Sequence, residues 1–302
     1  MKKIRFAGCV FCAALLALCA AISSAPAQEK VPETKPATGE QDPVAAMMKT
    51  FADAGLVVDT KQGTIRVPCV MGRPADPLEF VLVHRRGKSH ETLLVTDVKA
   101  SILNGAMLLL GFKPGENARS VEKNPLPTPE EVAKGAPLSD LFPPKGMSVW
   151  MTAQWKKIDE DGKEKDVEVP VEDMILDMAT ERSIEDVDWI YLGGNMAPMY
   201  RNEPPVFIGD YEGNLVSNVY RSPPNHLVTI KHAAADDDER WWITDIAPPA
   251  DTPITLVIHK AKTPQHIARD ERIAKRRAEE AKEGKKDGTG SEPAPKPERK
   301  GG

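Results

Sequence analysis

Residues 78–97 read LEFVLVHRRGKSHETLLVTD. Two apolar runs, Leu78 to His84 and Ser89 to Thr96, flank the polar Arg85-Arg86-Gly87-Lys88, so a β-hairpin centred on Arg86-Gly87 is the simplest pairing. In that register His84 lies opposite Ser89, Val83 opposite His90, Leu82 opposite Glu91 and Phe80 opposite Leu93. Leu78, Phe80, Leu82, Leu93 and Val95 then share one face, with His84 and Glu91 at its open end, where cross-strand diagonals are within reach. Alternation sends His90 and Glu91 to opposite faces although they are adjacent. The candidate catalytic pair is therefore His84 with Glu91, and His90 is a third candidate looking the other way.

The same stretch leads into a helix over about 97–111. Asp97 is its expected cap, Val98, Ile102, Ala106, Leu109 and Leu110 recur at helical spacing, and Gly111 with Pro114 ends it. The proline-rich loop 115–146 contains one capping box, Thr128-Pro129-Glu130-Glu131, and is long enough to be a candidate cover over a surface site.

Elsewhere the signals are mostly β. Leu56-Val57-Val58 and Ile65-Arg66-Val67 flank a turn at Lys61-Gln62-Gly63, and Val149 to Trp155 and Val167-Glu168-Val169 flank the loop DEDGK. Further strands are expected at 188–192, 206–208, 215–220, 227–230 and 254–259, with a hairpin signal at Asp210 to Asn214. The expected fold is α+β, a mainly antiparallel sheet with the 97–111 helix packed on it and a solvated charged helix over 263–283. That last helix has only a thin apolar stripe, Ile267, Ala274, Ala278 and Ala281.

The N-terminus reads as an export signal. Lys2, Lys3 and Arg5 precede the apolar run Phe6 to Ile22, and Ala25-Pro26-Ala27 is a small-residue cleavage site, giving a signal peptide over 1–27. Cys19 follows Leu18 where a lipoprotein signal has a small residue, which argues against an acyl anchor. Removal of the signal leaves Cys69 as the single cysteine, too few for a disulfide, an iron-sulfur cluster or a structural zinc site. Ile65, Val67 and Cys69 share one strand face, so Cys69 reads as a small buried hydrophobe.

Residues 28–50 are polar and proline-rich and read as a disordered linker, residues 51–262 as one globular domain, and residues 284–302 as a disordered basic tail. The whole chain carries −5, and without Lys2, Lys3 and Arg5 it carries −8. From Lys260 onward thirteen Lys and Arg stand against eight Asp and Glu, so the preceding body carries about −13. An acidic body argues against nucleic acid as partner, while the basic tail suits an anionic surface.

The segments GTIRVPC (63–69), GKSHETLLVTDVKASILNGAMLLLGFKPG (87–115), VWMTAQW (149–155), VDWIYLGG (187–194), DYEGNLVSNVYRSP (210–223) and TPITLVIHKA (252–261) together resemble the YdjY domain family of exported bacterial proteins, planctomycete ones among them. The resemblance spans roughly 56–260 and implies an exported domain with no assigned reaction. Some members carry a ferredoxin-like label, which the lone Cys69 does not support.

Other chemistries are thinly represented. His90-Glu91 lacks the second histidine of a zinc-protease helix, because position 94 is Leu94. Asp236-Asp237-Asp238-Glu239 lacks the ligand spacing of a calcium loop, and Gly193-Gly194-Asn195 lacks the glycine pattern of a dinucleotide site. Trp150, Trp155, Trp189, Trp241 and Trp242 suit core packing better than a sugar platform. No cofactor or metal is expected. The sequence favours a periplasmic or extracellular non-catalytic module that binds a protein, polymer or small ligand. The alternative is a metal-dependent or hydrolytic enzyme built on His84 and Glu91, with His90, Asp97 or His226 in support.

Overall fold

The computed structural model describes residues 42–287. Helix α1 (Pro43–Asp53) is followed by strands β1 (Val57–Asp59), β2 (Thr64–Met71), β3 (Phe80–His84) and β4 (Thr92–Thr96), then helix α2 (Ala100–Leu109). An excursion holds β5 (Arg119–Glu122), helix α3 (Pro129–Ala133) and β6 (Ser139–Phe142). Next come β7 (Ser148–Ile158), β8 (Glu164–Pro170), β9 (Ile175–Asp177), β10 (Arg182–Ser183), β11 (Asp188–Tyr191), β12 (Met196–Ala197), β13 (Val206–Phe207) and helix α4 (Ile208–Glu212). The chain continues through β14 (Asn214–Ser217), β15 (Val228–Lys231), β16 (Trp241–Ile243) and β17 (Pro253–His259) to helix α5 (Pro264–Asp287).

The protein is α+β, but its main sheet is a closed barrel rather than an open sheet with a helix laid on it. Eight strands close in the order β2-β17-β7-β11-β15-β14-β3-β4, and β4 returns to β2. The seam pairs Cys69 with Thr96, Val70 with Val95 and Met71 with Leu94. Across it the Thr96 hydroxyl donates to the Pro68 carbonyl at 2.7 Å. Two long strands branch. One edge of β2 is divided between β1 and β4, and one edge of β7 between β11, at Ser148 and Val149, and β8, from Thr152 to Ile158. Alternation along β2 sends Ile65, Val67, Cys69 and Met71 into the core.

The 78–97 stretch is not a hairpin. Phe80 pairs with Thr92, Leu82 with Leu94 and His84 with Thr96, so β3 and β4 run parallel. A second parallel pair, β14 with β15, is joined to the first by the antiparallel pairing of β14 with β3. The reason lies in burial: Phe80 to Val83 and Thr92 to Leu94 are covered on both faces, as parallel strands usually are, whereas a hairpin with one wet face would alternate. Gly87 serves a close approach instead of a hairpin turn. A Cβ on it would meet the Gly213 carbonyl oxygen at 2.8 Å, and one on Gly213 would meet the Gly87 nitrogen at 2.8 Å. The chain then returns to the start of β4 through a single 3-10 turn, Ser89–Glu91.

One carboxylate ties the two parallel crossovers together. Glu79 accepts from Lys88 Nζ at 2.8 Å and forms an ion pair with Arg221, on the loop joining β14 to β15. The Arg221 guanidinium also lies 5.0 Å from the Phe80 ring centre. Because the Glu79 side chain is only 13% exposed, its charge is largely removed from water. Glu79→Gln is expected to cost about 1–3 kcal/mol in urea unfolding, since both cations lose their shared acceptor charge. A loss under about 0.5 kcal/mol, the scale of ordinary surface substitutions, would show that the two crossovers hold independently.

Helix α2 starts later than its sequence suggests, with Lys99 rather than Asp97 at the cap. Asp97 is engaged by Arg85. The helix is capped from outside: Asp210 accepts from the Ser101 backbone N–H at 2.9 Å and from its hydroxyl at 2.5 Å. Asp210 sits on α4, so the 210–214 segment is a short helix closed by Gly213, not a hairpin. The Thr128 capping box forms as expected at the start of α3.

Two boundaries move, and the long loop acquires a structure. Helix α1, capped by Asp42 and anchored by buried Phe51, begins inside the segment expected to be linker. The 115–146 loop is a flap, β5 paired with β6, whose strands and α3 are almost wholly exposed. Helix α5 extends beyond 283 and is docked, not solvated all round. The expected leader 1–27, the expected linker up to Gln41 and the expected tail beyond Asp287 lie outside the described residues.

Candidate functional site

The structure separates His84 from Glu91. The Glu91 carbonyl accepts from the Glu79 N–H, one residue before β3, while His84 ends that strand, about 16 Å away at ~3.3 Å per residue. His84 Nδ1 accepts from the Arg86 N–H at 3.2 Å. Its pKa is held below the ordinary histidine value by burial and then by the Arg86 charge. Asp97 lies near this end, and His226 belongs to a different cluster. His90 and Glu91 do touch, Nε2 to Oε1 at 3.3 Å, because the 3-10 turn replaces the strand alternation that would have parted them. Glu91 also binds Lys88 at 2.8 Å, so the pair is an outer part of the crossover tie.

A denser group of acids and histidines lies beneath α5. The inward positions of this helix are His266, Arg269, Ile273 and Arg276, not the expected alanine stripe, and Ile267 is exposed. Buried Glu172 accepts from Trp189 Nε1 at 2.8 Å and faces His266 Nε2 at 3.5 Å. Burial pushes the Glu172 pKa up, but the hydrogen bond and charge of His266 and the charge of Arg269 outweigh it and hold the carboxyl below its usual range. His266 Nδ1 lies 2.7 Å from the Thr263 hydroxyl, and the ring sits edge-on to Trp150. Arg269 donates to Asp173 at 2.6 Å and to the Ile184 carbonyl. Arg276 and Arg277 reach Glu185 at 2.5 and 2.7 Å.

Beside this seat the Thr152 hydroxyl bridges Glu168 Oε1 and His259 Nε2, both at 2.9 Å. Donation to the carboxylate leaves Thr152 accepting from the ring N–H. Burial pushes His259 down to about 4, so its imidazole is neutral at ordinary pH. These side chains have the chemistry of proton transfer, yet each partner faces another protein group. Among the described residues no three His, Cys, Asp or Glu side chains converge as a metal site. Cys69 is buried and its thiol is pushed up to about 12, which leaves it unreactive.

A cleft of about 560 Å³ borders α5 at Trp150, Arg269 and Arg277, and two larger ones lie around the β7–β8 hairpin. A cleft of about 720 Å³ opens between that hairpin and the loop 245–252. Trp155, Val167 and Val169 form its hairpin wall and Ile246, Pro248 and Pro249 the opposite one, with Lys157 and Asp245 at the rim. Trp155 pairs with Val167 and Ala153 with Val169, so strand alternation places this apolar row on one face. Ile158 and Ile246, which both line the cleft, are 59% and 49% exposed. A second cleft of about 820 Å³ adjoins it and shares Trp155, Lys156, Val167 and Thr252.

Sequence reasoning missed this site because its walls lie some ninety residues apart in the chain; only the Pro248-Pro249 pair marked the second wall. Of the five tryptophans, Trp189 and Trp241 are fully buried, Trp155 nearly so, and Trp242 is exposed, so the five do not form a common platform. The fold and these surfaces define an α+β barrel protein with a projecting grooved hairpin. No family model, curated protein or solved structure matches this chain.

Proposed function

We propose that this chain is an exported, non-catalytic binding module of the YdjY kind, and that its ligand groove is the cleft along the β7–β8 hairpin. The observation that supports this reading most is the convergence of exposed Ile246 with Trp155, Val167 and Val169 on one open cleft, with Ile158 at its end. Apolar surface gathered in a concavity with a few polar rim groups is the usual construction of a ligand site. The apolar leader at residues 6–22 supports export. An enzyme built on His84 and Glu91 would need both side chains at one reacting atom, and they lie at opposite ends of β3.

The test is a titration with an environment-sensitive apolar dye. The purified chain is expected to bind saturably, with Val167→Asp and Ile246→Asp each weakening binding about tenfold, the effect of ~1.4 kcal/mol. Leu138→Asp, on the exposed flap, is the control and should change binding less than about twofold. Equal binding by all three variants would overturn the assignment of the groove.

A further inference from the structure

We propose that the free edge of β8 binds an extended segment of a partner polypeptide in which basic and apolar residues alternate, added to the sheet as a further strand. This deepens the binding-module reading and rests on it. Strand β8 stands off the closed ring and is paired only with β7. Among the described residues, the backbone of 164–169 makes no strand bonds beyond those to β7. Helix α5 packs against β8, whose burial rises from exposed at Glu164, Lys165 and Asp166 to buried at Pro170. The accessible edge is therefore the Glu164 to Glu168 half, and an unpaired row of backbone donors and acceptors there is a template for another strand.

The side chains specify what kind of strand fits. Alternation places Glu164, Asp166 and Glu168 on one face and Lys165, Val167 and Val169 on the other. On the acidic face Lys156 lies 3.4 Å from Glu164 and 3.2 Å from Asp166, and Arg66 borders the same surface through Gln154, so three carboxylates stand against two cations. The hairpin tip strengthens the sign, because residues 159–168 hold Asp159, Glu160, Asp161, Glu164, Asp166 and Glu168 against Lys163 and Lys165. Opposite charges facing each other across neighbouring strands stabilise the pairing, and an acidic surface speeds the encounter with a basic partner. The other face borders the cleft between Trp155, Ile246 and Pro248, which would receive the partner's apolar residues.

Two other occupants fit less well. A second copy of β8 would set its carboxylate row against an identical row, and like charges directly opposite oppose pairing. An anionic polymer or membrane would be repelled by the same row.

The experiment compares two synthetic peptides of one composition, lysine and valine strictly alternating or segregated into two blocks, by calorimetric titration of the purified chain and amide exchange of residues 164–168. The alternating peptide is expected to bind saturably, at least about tenfold tighter than the block peptide, and to slow exchange at those amides. Glu164→Lys with Asp166→Lys, both on the exposed half of the strand, should reduce that binding by about tenfold or more. Equal binding of both peptides without amide protection means charge adhesion only and overturns the proposal. If the apolar dye still binds in an Ile246-dependent manner while neither peptide does, strand addition falls and the groove reading stands. If neither dye nor peptide binds, both fall.

Discussion

Acidification from pH 7 to 4.5 is expected to cost this protein roughly 2–3 kcal/mol of stability through His226 alone. His226 is fully buried, and burial first, then the Arg221 charge, push its pKa from the ordinary 6.5 down to about 3. In the unfolded chain the imidazole takes up a proton as the pH falls through about 6.5, while in the fold it stays neutral down to about 3. Protons therefore favour the unfolded chain throughout that window, and the contribution is complete above 6.5 and lost as pH falls. The surroundings enforce neutrality. Asn225 and Asn214 both donate to Glu212, and His226 Nδ1 donates to Asn225 Oδ1 at 3.0 Å, which leaves Nε2 without a hydrogen and without a partner.

Urea unfolding of the wild type and His226→Gln at pH 7 and 4.5 isolates this effect above most of the carboxylate range. The variant should lose about half of the difference between the two pH values and retain a comparable part from His259, whose pKa is pushed down to about 4 and whose sign is the same. An NMR titration in which His226 keeps its neutral shift at pH 4.5 would agree. A wild type equally stable at both pH values would overturn it.

The second large effect is expected at the seat of α5. Arg269→Ala should cost about 3–5 kcal/mol, because it leaves Asp173 beneath the helix without its closest cation and the Ile184 carbonyl without a donor. The Arg269 side chain is 7% exposed, whereas Arg272, which binds the other oxygen of Asp173, is 64% exposed. Arg272→Ala should accordingly cost only about 0–1 kcal/mol. Denaturation measures both, and limited proteolysis shows whether α5 is released. Arg269→Lys keeps the charge but not the fork that serves Asp173 and Ile184 together, so it should fall between the two. Equal costs for Arg269→Ala and Arg272→Ala would show that the helix is not held by its buried guanidinium.

Local chemistry was legible in the sequence wherever one turn or cap decided the structure. The β1–β2 and β7–β8 hairpins follow from Gly63 and Gly162 with the aspartates beside them, and α3 from its capping box. The 78–97 stretch misled because Gly87 looks the same in sequence whether it makes a turn or lets another backbone pass. Its partner in that contact, Gly213, is remote in the chain. Continuous apolar runs at Phe80 and Thr92 did carry the two-faced burial signal, but barrel closure depends on the pairing of Cys69 with Thr96, which no local pattern encodes.

The α5 interface was hidden for a different reason: its buried face is cationic, so a search for an apolar stripe selects the wrong side. Of the candidate site, the sequence offered residue types without their meeting places. His90 and Glu91 touch, His84 does not join them, and the buried partner of Glu172 is a histidine on a helix expected to lie in solvent.

Closure of the ring has a consequence for how this protein would fail. With β4 joined to β2, the eight ring strands present no terminal ladder, and the sheet's unpaired backbone belongs to its two branches, three-residue β1 and charged β8. Parting Cys69, Val70 and Met71 from Thr96, Val95 and Leu94 would convert the cylinder into an open ribbon with β4 newly bare along one side. That side carries Leu93 and Leu94, fully buried in the intact ring, so the seam is where loss of a few hydrogen bonds would turn a folded chain into a seed for chain-to-chain aggregation.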